Sequence, residues 1–333
     1  VRIVLCYPAE AQHIAQIQAI VPEAEIVDAG QEHVAEELPE ADIFFGHAKV
    51  PVPWEEVVRR GRVRWIQSSA AGIDHCLVPC VAASPIVVTS LSGVLADQVA
   101  EHGIGLITAL CRSFPVFWRA QAKREFIRRP TRDLHHSTVG IVGLGGVGRR
   151  LAELLAPFRT RILATDYCPV DKPAHVAALW PPDHLPRLAA EVDILVLCAP
   201  LNDQTRCMID RTIFERMKPG AFFVNIGRGQ LVVEPDLVQA LRSGHLAGAA
   251  LDVTFEEPLP VDSPLWELPN VIITPHVGGQ SARRIDDTTN FFCENLRRYL
   301  RGEPLLNLVD KKLGFPLRAA SHQWRVEDQD SSF

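Results

Sequence analysis

The sequence predicts an α/β protein built from two doubly wound parallel sheets, and three observations lead there. Short β-branched apolar runs alternate with helix-like stretches, the pattern of parallel strands covered by helices on both faces. The alternation occurs twice, before and after a long helical segment and a basic loop. The second series opens on a glycine-rich turn between an apolar strand and an amphipathic helix. A length of 333 residues also suits two domains of ordinary size better than one small core.

The first series reads "RIVLCY", "EIVDAG", "DIFFGH", "VRWIQSS" and "PIVVTS", separated by helix-like segments such as 11–20 and 54–60. It is expected to be flavodoxin-like. From Gly93 the chain passes through "ADQVAEHGIGLITALCR", read as one helix despite Gly103 and Gly105. The loop that follows, with Lys123, Arg124, Arg128, Arg129 and Arg132, reads as a solvated face. The second series is "TVGIVG", "RILATD", "DILVLCAP", "AFFVNIG", "AGAALDV" and "NVIITP". After "TPHVGGQS" a helix-like stretch over 282–300 returns the chain to the first domain. The expected division is residues 1–97 completed by 280–314, then 98–279, with 315–333 as a polar C-terminal extension on the surface.

Hydrophobic residues make up 47% of the chain, and the formal net charge of -6 provides no overall basic field for nucleic acid or an acidic membrane. The N-terminal apolar run, Ile3 to Cys6, is too short for a signal-peptide core. The most apolar helical stretch, 103–111, is far shorter than a membrane span. A soluble, cytoplasmic protein is expected. Its eight cysteines are scattered, with Cys6 and Cys198 inside strand-like runs, and read as reduced thiols. Cys76 and Cys80 form the one close pair, with no second pair at zinc spacing, so no metal site is expected.

"TVGIVGLGGVGRRLAELLA" sets Gly143, Gly145 and Gly148 in G-x-G-x-x-G spacing after a strand and before a helix. Such glycines permit a tight turn, and the helix N-terminus offers free N–H groups and a positive dipole end to a pyrophosphate. Gly145, Gly146 and Val147 should lie closest to it. Asp166 closes the next strand, 23 residues after Gly143, where a carboxylate could accept both ribose hydroxyls. The second domain is therefore expected to be a Rossmann domain that binds NAD.

Three further strand ends carry polar residues that apolar packing does not require: Arg228 after "FFVNIG", Asp252 and Glu257 in "LDVTFEEP", and His276 in "ITPHVGG". Ligands of open α/β sheets bind beyond such carboxyl ends. Arg228 cannot shed its charge, so an anion should accompany it, either another side chain or a substrate.

These motifs resemble those of the NAD-dependent D-2-hydroxyacid dehydrogenases, relatives of which include glyoxylate/hydroxypyruvate reductases and phosphoglycerate dehydrogenases. "SSAAGID", "DQVAEH", "GLGGVG", "PLNDQTR", "NIGRGQ", "LDVTFEEPLP" and "TPHVGG" stand in the family's order, across roughly Arg2 to Gly314. The resemblance implies an oxidoreductase that transfers hydride between NAD(H) and a small 2-oxo acid or D-2-hydroxy acid. It makes Arg228 the substrate-binding arginine, His276 the acid/base and Glu257 its carboxylate partner, although Glu256 is adjacent and competes for that role. Asp252 corresponds to an aspartate near the nicotinamide carboxamide. Pro200, Thr205 and Ile226 fall in the cofactor cleft, with Gly278 counted among the cofactor contacts. Ser69, Ala70, Ala71 and Gly72 match a loop whose N–H groups hold the substrate carboxylate. A homodimer built on the cofactor domain is also implied.

Reduction of a 2-oxo acid builds negative charge on the carbonyl oxygen, which a positioned imidazolium neutralises by giving a proton. Glu257 beside His276 would favour that charged form. Arg228 would grip the substrate carboxylate through parallel N–H bonds, with Gly227 and Gly229 leaving room for its approach. His102, His135 and His136 read only as surface or helix-face residues. Where relatives have glycine after "LLAPF" this chain has Arg159, which implies a different turn, and Ser90 and Gly146 replace an asparagine and a basic residue. Ala71 stands where phosphite-oxidising relatives place lysine, which argues against phosphite. The alternative from another class is an NAD-binding regulatory protein of the C-terminal-binding-protein corepressor type.

Overall fold

In the computed structural model, which describes residues 1–169 and 171–317, the chain divides into two compact units. One comprises Val1–Leu95 with the chain from Ser281 onward, the other Ala96–Gln280.

The first unit holds five parallel strands, β1 (Arg2–Cys6), β2 (Glu25–Asp28), β3 (Ile43–Gly46), β4 (Trp65–Ser68) and β5 (Val87–Thr89), in the order β2-β1-β3-β4-β5. That order is flavodoxin-like, with the topological switch between β1 and β3. Ile3, Val4 and Leu5 of the inner strand β1 are wholly buried, as a strand covered on both faces requires.

One face is closed by the helix Arg284–Arg301. Its Phe292 stacks on Phe45 at 4.1 Å and on Trp65 at 5.4 Å, and each ring taken from water contributes roughly 1.5–3 kcal/mol. Polar groups in this core are paired. Asn295 Nδ2 donates to Gln67 Oε1 at 3.0 Å and to the Leu306 carbonyl at 3.1 Å. Thr89 Oγ1 donates to the same Gln67 oxygen at 2.7 Å and accepts from Trp65 Nε1 at 2.8 Å. Farther on, Val309–Asp310 pairs antiparallel with Phe315–Pro316. The extension expected from residue 315 lies, beyond residue 317, outside the described residues.

The second unit is a seven-stranded sheet of β6 (Thr138–Val142), β7 (Arg161–Thr165), β8 (Val176–Trp180), β9 (Ile194–Leu197), β10 (Ala221–Asn225), β11 (Leu246–Leu251) and β12 (Val271–Ile273). The order β8-β7-β6-β9-β10-β11-β12, parallel throughout, reverses direction between β6 and β9, as in dinucleotide-binding sheets. Strand β8 escaped the sequence pattern because it is a half-exposed edge strand with two alanines.

The helix Ala96–Cys111 runs unbroken through Gly103 and Gly105. In the basic loop Lys123, Arg124, Arg128, Arg129 and Arg132 are all exposed, and Arg132 also donates to the Gly220 carbonyl and lies 5.1 Å over the Phe222 ring. The turn before β7 differs from the expectation. Arg159 adopts the left-handed backbone, φ 53°, that glycine would take at no steric cost, so the turn keeps that shape despite the side chain. All eight cysteines are free thiols. Among the described residues no helix is long and apolar enough to cross a membrane.

Candidate active site

Strand β6 ends at Val142 and is followed by Gly143, whose φ of 92° favours glycine, and the helix Gly146–Leu155 begins directly after Gly145. A Cβ on Gly148 would stand 2.1 Å from the Gly143 carbonyl oxygen, so helix and turn pack at a distance only glycine permits. Nothing lies within 4 Å of a Cβ built on Gly145, which leaves open space over the helix start. Asp166, after β7, accepts from Leu144 N–H at 2.6 Å through Oδ2 and from Cys168 N–H at 2.8 Å through Oδ1. Each oxygen keeps a lone pair. A cradle that side chains would fill, together with an oriented carboxylate, fits a dinucleotide.

Across the switch point, Pro200 begins a tight loop after β9. Thr205 Oγ1 donates to the Pro200 carbonyl at 2.7 Å and accepts from Asn202 N–H at 2.9 Å, so this hydroxyl shapes the loop. Ile226, 8% exposed, packs with the core beneath the end of β10.

Arg228 projects from a turn fixed by Asn225, whose Nδ2 donates to the Arg228 carbonyl at 2.9 Å while its Oδ1 accepts from Gly227 N–H at 3.0 Å. Arg228 Nη1 donates to the Gly227 carbonyl at 2.8 Å. The flanking glycines serve the chain itself and not an approaching ligand. A Cβ on Gly229 would fall 1.8 Å from the Thr254 carbonyl oxygen, and one on Gly227 3.0 Å from that of Ala199.

After β12 the backbone turns left-handed at His276, φ 53°, and His276 N–H donates to the Asp252 carbonyl at 2.7 Å. His276 Nδ1 lies 2.8 Å from Glu257 Oε2, with the side chains 46% and 38% exposed. The neighbouring turn separates the two glutamates. Glu257 Oε1 accepts from Thr254 N–H at 3.2 Å, whereas Glu256 meets the Thr254 hydroxyl through its backbone carbonyl at 2.7 Å. Burial acts to raise the Glu257 carboxyl. Hydrogen bonding and charge from His276, the Thr254 N–H and the Arg228 guanidinium outweigh it and hold the carboxyl below its ordinary value.

Asp252 is different in kind. Its buried carboxylate accepts from Thr274 Oγ1 at 2.6 Å, Val277 N–H at 2.9 Å and Gly278 N–H at 2.9 Å, and His102 Nε2 lies 3.3 Å from Oδ1. Burial alone would raise its pKa, but these four partners hold it down to about 2. His102 thus belongs to the site's framework and is not a bland helix-face residue.

In the first unit, Ser69 N–H donates to the Gly46 carbonyl at 3.1 Å and Ala70 N–H to Ser68 Oγ at 3.0 Å. Among the described residues no acceptor takes the N–H groups of Ala71 and Gly72. Arg228, Asp252, Glu257, His276 and the glycine cradle all belong to the second unit.

Residues 104–278 match the family described as D-isomer specific 2-hydroxyacid dehydrogenase, NAD binding domain. The chain is 33% identical over 317 residues to glyoxylate reductase/hydroxypyruvate reductase of Homo sapiens, covering 90% of this chain and 94% of that protein. It is 30% identical over 283 residues to D-3-phosphoglycerate dehydrogenase of Methanocaldococcus jannaschii, covering 84% of this chain and 54% of that one. Among solved structures, a D-isomer specific 2-hydroxyacid dehydrogenase from Xanthobacter autotrophicus Py2, in complex with NADPH and MES, matches with a TM-score of 0.79. It is 29% identical and covers 94% of this chain and 99% of its own.

Proposed function

This chain belongs to the D-isomer specific 2-hydroxyacid dehydrogenase family, oxidoreductases that act on CH-OH donors, and we propose that it uses NADH to reduce a small 2-oxo acid to the D-2-hydroxy acid. The observation that carries this reading is the His276–Glu257 pair. An imidazole held through Nδ1 by an ionised carboxylate presents Nε2 as the proton donor, and both side chains are open enough to exchange protons.

When bound, a reduced nicotinamide would supply hydride chemistry for reduction of the carbonyl carbon. His276 gives its Nε2 proton to the carbonyl oxygen as charge develops there, and Glu257 stabilises the imidazolium before transfer. Arg228 grips the substrate carboxylate and polarises the carbonyl. Gly145, Gly146 and Val147 would hold the pyrophosphate, while Pro200, Thr205, Ile226, Asp252 and Gly278 would border the nicotinamide half. In this assignment 98–279 is the cofactor domain, and 1–97 with 280–314 the substrate domain. The active form is a cytoplasmic homodimer.

The related Xanthobacter structure holds NADPH. Here Asp166 argues for NADH, because an ionised carboxylate accepts ribose hydroxyls and repels a 2'-phosphate.

The test is kcat/KM with NADH and NADPH across glyoxylate, hydroxypyruvate, pyruvate, phenylpyruvate and bulkier 2-oxo acids. A preference for NADH that narrows in Asp166→Ser is expected, whereas equal wild-type kcat/KM for the two cofactors removes the NADH assignment. No turnover with any acid, alongside NADH-dependent changes in assembly or partner affinity, points instead to a regulatory protein.

A further inference from the structure

The proton donor of the proposed reaction sits on a strained backbone, and the groups that hold it converge on one buried network. His276 is left-handed at φ 53°, a conformation that is costly for a non-glycine residue unless its surroundings fix it. Asp252 does that fixing. Its backbone carbonyl accepts from His276 N–H, and its carboxylate takes the next two amides, Val277 and Gly278. Three successive N–H groups therefore close on one residue.

Asp252 is itself held from the far side. Thr274 Oγ1 spends its only proton on Asp252 Oδ1 at 2.6 Å, so it must accept from its other neighbour, His102 Nε2, at 3.0 Å. The proton on His102 thus resides on Nε2, shared between Thr274 Oγ1 and Asp252 Oδ1. The packing is close as well. A Cβ on Gly278 would lie 2.9 Å from Asp252 Oδ2 and 3.4 Å from His102 Cδ2, so carboxylate and imidazole edge both press on the turn. All of these groups lie in the second unit.

We propose that His102 is a positioning residue: from the helix Ala96–Cys111 it latches Thr274 and Asp252, and through them sets the turn that aims the His276 imidazole. His102 touches none of the reacting atoms. Its action on the hydride step rests on the functional reading above, whereas its grip on the turn does not.

Two measurements on the full chain separate these. In the protein without cofactor, exchange of the Val277 and Gly278 amides should quicken in His102→Ala, because the carboxylate that accepts them loses its outer support. In single-turnover reduction of glyoxylate by NADH, the same variant should slow the hydride step by roughly 10- to 100-fold, the scale of a misaimed reacting group. Its KM for glyoxylate and Kd for NADH should stay within about twofold, the split expected when alignment and not binding is lost. His102→Gln, whose Nε2 offers a donor at similar reach, should restore both exchange protection and rate, which recovery of bulk stability alone would not do. Should His102→Ala fail to fold, Thr274→Val removes the bridging hydroxyl with nearly the same shape and should show the same split.

Wild-type exchange and wild-type rate in His102→Ala overturn the proposal, as does a loss confined to KM or to Kd. If the wild-type protein reduces no 2-oxo acid, the functional reading fails, and the exchange measurement still decides the latch.

Discussion

Asp252 and Glu257 follow the same strand, β11, on one short stretch of chain, yet they are built for opposite tasks. The Asp252 side chain is 4% exposed and meets a hydroxyl, two amides and an imidazole, while that of Glu257 is 38% exposed and faces one imidazole and one amide. A carboxylate whose lone pairs are filled by fixed donors holds backbone in place and is costly to disturb. One with solvent access and a titratable partner answers to proton movement. The contrast divides the site into a framework and a reactive face, and each half fails differently when altered.

The largest effect is expected on the reactive face. His276→Ala should lower the hydride-step rate by about 10²- to 10⁴-fold, the usual scale of a lost general acid, with cofactor affinity and unfolding midpoint almost unchanged. A large drop in stability with little change in the stopped-flow rate would place His276 in the framework.

Next comes the framework itself. Asp252 has a folded pKa of about 2 against an ordinary 3.8, so its stabilising contribution is complete above pH 4 and is lost as the pH falls toward 2. The shift corresponds to about 2 kcal/mol at neutral pH. Asp252→Asn should therefore unfold in denaturant with about 2 kcal/mol less stability at pH 7, and the gap to the wild type should close as pH drops below about 4. A gap independent of pH would mean that shape, and not the charge of Asp252, holds the turn.

The smallest effect is expected at the partner of the ring. Hydrogen bonding and charge from His276, the Thr254 N–H and the Arg228 guanidinium hold the Glu257 carboxyl below its ordinary value. Glu257→Gln keeps a hydrogen-bonding side chain of the same shape but removes its charge, and should slow the hydride step by roughly 10-fold. An unchanged stopped-flow rate would deny Glu257 its role as the ring's charge partner.

What the sequence reveals of this site follows the range of the interactions. The glycine cradle is legible because its geometry is local, set by Gly143, Gly145 and Gly148 within one turn. The strand ends carrying Arg228, Asp252 and His276 are legible because apolar runs stop there abruptly. His102 is not, since a histidine on an amphipathic helix looks like any polar-face residue until Asp252 and Thr274, distant in sequence, arrive beside it. The same holds for Gly229, whose missing side chain is demanded by the Thr254 carbonyl. The choice between Glu256 and Glu257 is closed to sequence because adjacent residues share composition and spacing, and only the Thr254 turn tells them apart.

The return of the chain through the helix Arg284–Arg301 also bears on how the molecule is made. The second unit is one uninterrupted stretch, Ala96–Gln280, with its own core, so it can close while synthesis is still under way. The first unit cannot, because Phe45 and Trp65 wait for Phe292, and Gln67 waits for Asn295. As the ribosome advances, the half that starts first is finished last, and its sheet keeps an apolar face open to chaperones, or to aggregation, for most of the time the chain takes to emerge.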